Sequence, residues 1–306
     1  MDFSNGAAYI DGKFMPVGEA RIPMTHLGYR RSDATYDVVG VRDGNFFRLD
    51  EHISRFRASM NALRMSPTES DEDICRILHR IVALSGLHDA YVAMDCIRAL
   101  PPIGAPRHSA FAPCYIACYA VPWISIASPE QLERGFHMII AETLRISRRS
   151  VDPKVKNFHW GDLTRGHFEA YDRGSDIAVL LDEDGFVTEG PGFNVFVVRD
   201  GKVITPRNGV LHGITRRSVI ELCDDLKIPV SETDITAQQL LEADEIFTST
   251  TAGGIMPVSR INDRILGNDR PGPISQKLFG QFWERRAQGW HATPVHYELE
   301  REDGQS

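Results

Sequence analysis

The stretch Asp152-Pro153-Lys154-Val155-Lys156-Asn157-Phe158-His159-Trp160-Gly161-Asp162 lies between a predicted strand, near Phe136 to Glu142, and a predicted helix, Asp162 to Asp172. Lysine is scarce in this chain: beyond Lys154 and Lys156 there are only Lys13, Lys202, Lys227 and Lys277. A lysine held where strand, turn and aromatic residues converge is partly desolvated. Desolvation disfavours the ammonium and leaves a usable amine nucleophile and base. Lys154 and Lys156 would share one face of a strand, so spacing alone does not choose between them. Downstream, Thr188-Glu189-Gly190-Pro191-Gly192-Phe193-Asn194 sets a carboxylate in a glycine-rich turn.

Working outward, hairpin signals recur. Asp11-Gly12, Asp43-Gly44, Asp184-Gly185 and Asp200-Gly201 each interrupt alternating apolar residues. Amphipathic helices are predicted from Asp50 to Leu63, with Asp50 as cap and Ile53, Phe56, Met60 and Leu63 inward, and from Ser70 to Ser85. Strands follow at Ala90 to Ile97 and Cys114 to Val121, around a loop rich in proline, glycine and alanine. Later elements are strands at 177–181, 194–205 and 245–249 and helices at 215–226, 237–241 and 274–286. Short strands broken by hairpins, with isolated helices, indicate an α+β fold rather than a doubly wound parallel sheet. Pro122 to Pro129 reads as a linker, which gives a first domain over 1–121, a linker over 122–130 and a second domain over 131–306.

Composition narrows the function. The chain has 306 residues, 42% hydrophobic and 25% charged, enough to bury a core. A net charge of −8 argues against nucleic acid as partner. No apolar run is long enough to span a membrane. Residues 1–12 lack a secretory signal, and five scattered cysteines read as reduced core residues. The expectation is a cytoplasmic protein without a metal site.

Three further features bear on an anion site. His212-Gly213-Ile214-Thr215-Arg216-Arg217 opens a helix, where backbone N–H groups and a hydroxyl can meet an anion. Thr250-Thr251-Ala252-Gly253-Gly254 follows a strand and lets successive N–H groups approach closely. Arg55 offers a forked contact. A Schiff-base lysine, a carboxylate and a phosphate cup are what pyridoxal 5′-phosphate requires.

With these residues in hand the chain resembles the class IV (fold type IV) pyridoxal-phosphate aminotransferases, a family of branched-chain, D-amino-acid and R-selective amine transaminases. The resemblance covers nearly the whole chain. It rests on Arg48-Leu49-Asp50-Glu51-His52-Ile53-Ser54-Arg55-Phe56, Val155-Lys156-Asn157, the Glu189 turn, Gly213-Ile214-Thr215-Arg216 and Thr250-Thr251-Ala252-Gly253-Gly254, in family order. It implies a small α/β N-terminal domain, a larger C-terminal pseudo-barrel domain and a homodimer. It implies that Lys156, not Lys154, joins the cofactor and serves as base and acid, and that Glu189 binds the pyridine nitrogen. Arg55, Ile214, Thr215, Thr250 and Thr251 would contact the cofactor, largely at its phosphate.

The run Gly28 to Val38 and the run Asn157 to Asp162 look most like the R-selective amine subgroup. There Tyr36, Trp160 and Ala252 would line the substrate pocket, although Tyr36 and Trp160 are also plausible core residues. Arg31 stands where many subgroup members carry histidine, which favours a substrate carboxylate. Arg107, in the 99–113 loop, is a candidate to bind the carboxylate of a 2-oxo acid. The expected substrates are amines, amino acids and 2-oxo acids such as pyruvate. The alternatives are branched-chain L-amino-acid transamination and an aminodeoxychorismate-type lyase on the same fold.

Overall fold

The computed structural model describes residues 3–299. Met1 and Asp2, at the start of the stretch read as lacking a secretory signal, lie outside the described residues, as do residues 300–306, the end of the expected second domain. By internal contact the chain forms two compact units. The first takes the described residues through Ile124, Val155–Phe158 and those from Gly289 onward; the second takes Ser125–Lys154 and His159–Gln288. The sequence-based division differs, since it assigns both 155–158 and the C-terminal segment to the second domain.

The first unit is built from strands β1 (Ala7–Ile10), β2 (Lys13–Pro16), β3 (Ala34–Arg42), β4 (Asn45–Phe47), β5 (Ala90–Arg98) and β6 (Cys114–Pro122), with helices α1 (Leu27–Arg31), α2 (Leu49–Ala62) and α3 (Asp71–Ser85). Together with the strand Ala292–Pro294 they make a seven-stranded sheet, whose order runs from that strand through β4, β3, β5, β6 and β1 to β2. Its hairpins follow from backbone chemistry. Asp11-Gly12 and Asp43-Gly44 all have positive φ, the conformation a two-residue hairpin with right-handed twist requires.

One face of the sheet is covered by α2 and α3. Ile53, Phe56 and Met60 on α2 and Ile74, Leu78 and Ile81 on α3 meet Val39, Val92, Met94 and Cys96 from the strands. Each such side chain contributes roughly 1.5–3 kcal/mol on burial. Ser70 caps α3 in a reciprocal box with Asp73. The expected cap of α2 is different: Arg48 is its N-cap, in a left-handed conformation, and Asp50 lies in the first turn. The Arg48 N–H is held instead by the His291 carbonyl, a partner that no local reading of α2 contains.

The second unit runs α4 (Pro129–Arg134), β7 (Phe136–Ile140), α5 (Gly161–Asp172), β8 (Ile177–Val179), β9 (Glu189–Gly190), β10 (Phe193–Arg199), β11 (Lys202–Thr205), α6 (Ile214–Asp225), β12 (Val230–Glu232), α7 (Ala237–Leu241), β13 (Glu245–Thr250), β14 (Gly254–Ile261), β15 (Arg264–Ile265) and α8 (Pro273–Ala287). Its mixed sheet has the order β12-β11-β10-β13-β14-β7-β8, with β15 on β14 and β9 on β10. One face packs Val195, Val197, Ile246, Met256 and Val258 into a core. On the other, Phe196 and Phe247 stack at 4.8 Å, and α6 and α8 pack on β13 and β14.

Strand β14 escapes sequence reading because Pro257 argues against a central strand. Here Pro257 faces Phe247 of β13, and pairing with β7 begins only at Val258, followed by a register shift before Arg260. The proline therefore interrupts no ladder with β7. The α+β class stands, with most strand pairs antiparallel.

Candidate active site

In the first unit the segment carrying Lys156 is fastened through its main chain. The Lys156 N–H donates to Ser59 Oγ (3.2 Å), and its carbonyl accepts from the Tyr36 N–H (3.0 Å) and the Thr35 hydroxyl (2.7 Å). Asn157 is buried, bridges Thr35 and donates from Nδ2 to the Val155 carbonyl. With its backbone fixed, the half-buried side chain brings Nζ to 4.2 Å from the centre of the Tyr36 ring. An aromatic face attracts the ammonium form at that distance. Phe158 packs edge-on against the same ring. Lys154 is exposed, and its N–H bonds to Asp152 Oδ1.

A second cluster of the first unit surrounds Asp37, whose side chain is wholly buried. Arg55 donates from Nε to Oδ2 and from Nη2 to Oδ1, both at 2.8 Å, a forked pair. His52 Nδ1 lies 2.8 Å from Oδ1, and the Val38 N–H donates to the same oxygen. Burial works to raise the Asp37 pKa, but the Arg55 charge and the His52 hydrogen bond outweigh it and hold the carboxyl well below the usual range. Burial lowers the pKa of His52 against the pull of Asp37, with Arg55 and Lys156 pushing the same way as burial. The ring is therefore neutral near pH 7 and donates from Nδ1–H. Arg55, expected to contact phosphate, has this edge of its guanidinium committed to Asp37.

In the second unit Glu189 is buried at the start of β9. It accepts from Arg145 Nη2 at Oε1 (2.9 Å) and from the Leu211 N–H at Oε2 (3.0 Å). Arg145 reaches Asp162 Oδ2 through Nη1 at 2.6 Å, and its Nε is buried without a partner among the described residues. Burial acts to lower the Arg145 pKa, but Glu189 and Asp162 reverse that and raise it. Asp162, against its own burial, is held low by the Ile146 N–H and by Arg145. Two carboxylates thus share one guanidinium, and the cluster carries a net negative charge. Each Glu189 oxygen retains a second lone pair to accept another donor.

The expected anion-binding residues also lie in this unit. Helix α6 begins after Gly213, and among the described residues its N-cap makes no side-chain hydrogen bond to the first turn. A Cβ on Gly213 would lie 2.2 Å from Asn194 Oδ1, so only glycine lets the backbone approach this closely. Opposite Asn194 on β13, the Ser249 hydroxyl is buried without a partner among the described residues. Helix α6 packs on β13, which ends at Thr250. Thr215, Thr250, Ile214 and Ala252 are buried and Thr251 is half-buried; the chain then turns sharply into β14 through Gly254, at positive φ. Uncapped N–H groups, hydroxyls and a glycine cradle fit a phosphate, and Glu189 fits a protonated ring nitrogen.

A family profile for class IV amino-transferases matches residues 34–261. The chain is a class IV aminotransferase. It is 31% identical over 280 residues to a putative branched-chain-amino-acid aminotransferase of Methanocaldococcus jannaschii, covering 91% of this chain and 96% of that one. It is 27% identical to the D-alanine aminotransferase of Bacillus licheniformis, over 88% and 93% of the two chains. Among solved structures, the branched-chain amino acid aminotransferase from Thermobaculum terrenum in its PLP form superposes with a TM-score of 0.85 at 26% identity, covering 96% of this chain and 99% of that one. This class IV aminotransferase is therefore a pyridoxal-phosphate-dependent transaminase with the α+β fold of that family.

The remaining expected residues divide. Tyr36 lies against Lys156. Trp160 precedes α5 and packs with the cluster of Ile139, Leu163 and Leu180. Arg31 and Arg107 are exposed in the first unit. Sequence reading missed Asp37, His52, Arg145 and Asp162. Alternation along β3 offered a signal for Asp37, because it shares the inward row of Thr35, Val39 and Val41. Nothing local marks Arg145, whose partners are 17 and 44 residues away.

Proposed function

We propose that this aminotransferase moves an amino group from an R-configured amine or a D-amino acid to a 2-oxo acid such as pyruvate. The observation that carries the reading is the Lys156 amine on a main chain pinned at three points, beside Tyr36. When bound, pyridoxal phosphate supplies an aldehyde that condenses with amines and a ring that accepts the electrons of a broken C–H bond.

Lys156 would hold the cofactor, and its Nζ would be the base and acid that takes and returns the proton at the donor's α carbon. The pinned backbone limits where Nζ can reach, which favours one face. Glu189, hydrogen-bonded to Arg145, would accept from the ring nitrogen. The first-turn N–H groups at Ile214 and Thr215 and the hydroxyls of Thr250 and Thr251 would hold the phosphate, with Arg55, oriented by Asp37, as a candidate further contact. Tyr36, Trp160 and Ala252 shape the substrate pocket, and Arg31 and Arg107 are candidates for the carboxylate of an acceptor.

The names of relatives favour a second reading, branched-chain L-amino-acid transamination. A donor panel separates the two: R- and S-1-phenylethylamine, D-alanine and L-leucine, each with pyruvate and with 2-oxoglutarate. Preference for the R-amine or D-alanine supports the first reading; preference for L-leucine replaces it. Release of pyruvate without an amino acceptor would indicate the lyase.

The same reading includes a homodimer, supported by exposed apolar side chains at Ile22, Met24, Tyr29 and Ile103 and checked by light scattering. It also places the enzyme in the cytoplasm, which the five free cysteines support.

A further inference from the structure

Across β3, β5 and β6 of the first unit, Tyr36, Asp95 and Ala117 form one row of directly opposed residues. Their side chains leave the sheet on the same side, with opposed Cβ atoms about 5 Å apart. That side faces away from α2 and α3, whose core takes the alternating residues Val92, Met94 and Cys96. The next rows are Val38-Ala93-Tyr119 and Ala34-Ile97-Tyr115. Asp95 is thus a carboxylate among methyl groups and phenol rings, one strand away from the ring on which the Lys156 amine lies.

Asp95 has no side-chain hydrogen bond or ion pair with any described residue. Burial alone pushes its carboxyl up to about 7. The neighbouring phenols of Tyr115 and Tyr119, raised to about 12 by burial first and by Asp95 second or third, offer no positive charge. Asp95 is half-buried; a carboxyl withdrawn this far from water without a partner is costly, and nothing in the core of the first unit requires one at this position.

We propose that Asp95 determines donor specificity by receiving the second ammonium group of a diamine whose first amino group reacts at Lys156. The inference rests on the assignment of Lys156 as the reacting amine and narrows the donor class to amines carrying a second cation. An ammonium supplies the counter-charge that the fold omits. An α-carboxylate in the same place would meet like charge, which disfavours amino acids as donors.

The test uses the cofactor-loaded enzyme, wild type and Asp95→Asn, with 1,5-diaminopentane, 1-aminopentane and D-alanine as probes and pyruvate as acceptor. The wild type is expected to favour the diamine over the monoamine by about tenfold or more in kcat/KM, carried by KM. Asp95→Asn is expected to remove that preference and to lower the KM for D-alanine. Equal use of the two amines by the wild type overturns the proposal, as does a preference that survives the substitution. A higher KM for D-alanine in Asp95→Asn also overturns it, because Asp95 would then be holding a carboxylate.

Ligand-induced melting shifts give a readout independent of turnover. A shift with the diamine, absent with the monoamine and absent in Asp95→Asn, supports the proposal; equal shifts contradict it. Borohydride trapping on Lys156 reports separately on the underlying assignment.

Discussion

The Asp37 cluster of the first unit and the Arg145 cluster of the second differ in charge balance. In the first, one carboxylate, Asp37, meets one guanidinium and a neutral imidazole, so the cluster is neutral overall. In the second, one guanidinium, Arg145, is shared by Glu189 and Asp162, so a negative charge is left over. Burying charge is tolerated where it is paired and hydrogen-bonded. A neutral cluster is complete in itself and serves to fix geometry, here the orientation of Arg55 from the strand two residues beyond Thr35. A cluster with surplus charge is completed by a cation from outside, and a protonated pyridine nitrogen is such a cation. The lesson is that the residues that hold and the residues that bind can be told apart by counting charges.

Removing Asp37 should have the largest effect on stability. Asp37→Asn removes the negative charge that balances Arg55 and one of the two oxygens that accept from its guanidinium, and is expected to cost about 3–5 kcal/mol, read from denaturant unfolding of the apoprotein. The pH dependence follows from sign. The folded-state pKa of Asp37 is depressed, so its contribution is present above the ordinary carboxylate range and is lost as pH falls through and below it. Asp37→Asn should flatten the acid limb of the stability curve. An unchanged limb would mean that the cluster does not stabilise the fold.

Arg145→Leu should come next. It leaves two buried carboxylates facing each other and is expected to cost about 2–4 kcal/mol near pH 7, with much of the loss recovered in acid as one carboxyl protonates. A loss that does not depend on pH would contradict the shared-guanidinium account.

Asp162→Asn should have the smallest effect on stability, on the order of 1 kcal/mol, because an amide oxygen can still accept from the Ile146 N–H. It removes the surplus charge, however. Pyridoxal phosphate affinity, followed by fluorescence quenching, is expected to weaken several-fold while the fold persists. Unchanged affinity would break the comparison between the two clusters.

Much of this organisation was legible beforehand. The Asp-Gly turns required positive φ, and the apolar stripes of α2 and α3 required helices there, so these elements follow from local chemistry. The candidates Lys156 and Glu189 stood out because their residue types and flanking turns are chemically unusual. What was not legible was set by distant partners. The N-cap of α2 depends on the carbonyl of His291, and β14 depends on where pairing to β7 begins. Arg145 owes its place to Asp162 and Glu189, and Asp95 is notable only because no described residue pairs with its side chain. Such features are pairings between segments, which composition and spacing along one segment do not contain.

Reduction of the cofactor-loaded enzyme with borohydride, followed by peptide mapping, tests the central assignment most directly. The expected result is a single phosphopyridoxyl group on Lys156. The same label on Lys154, or no label on any lysine of an enzyme that still transaminates, would contradict it.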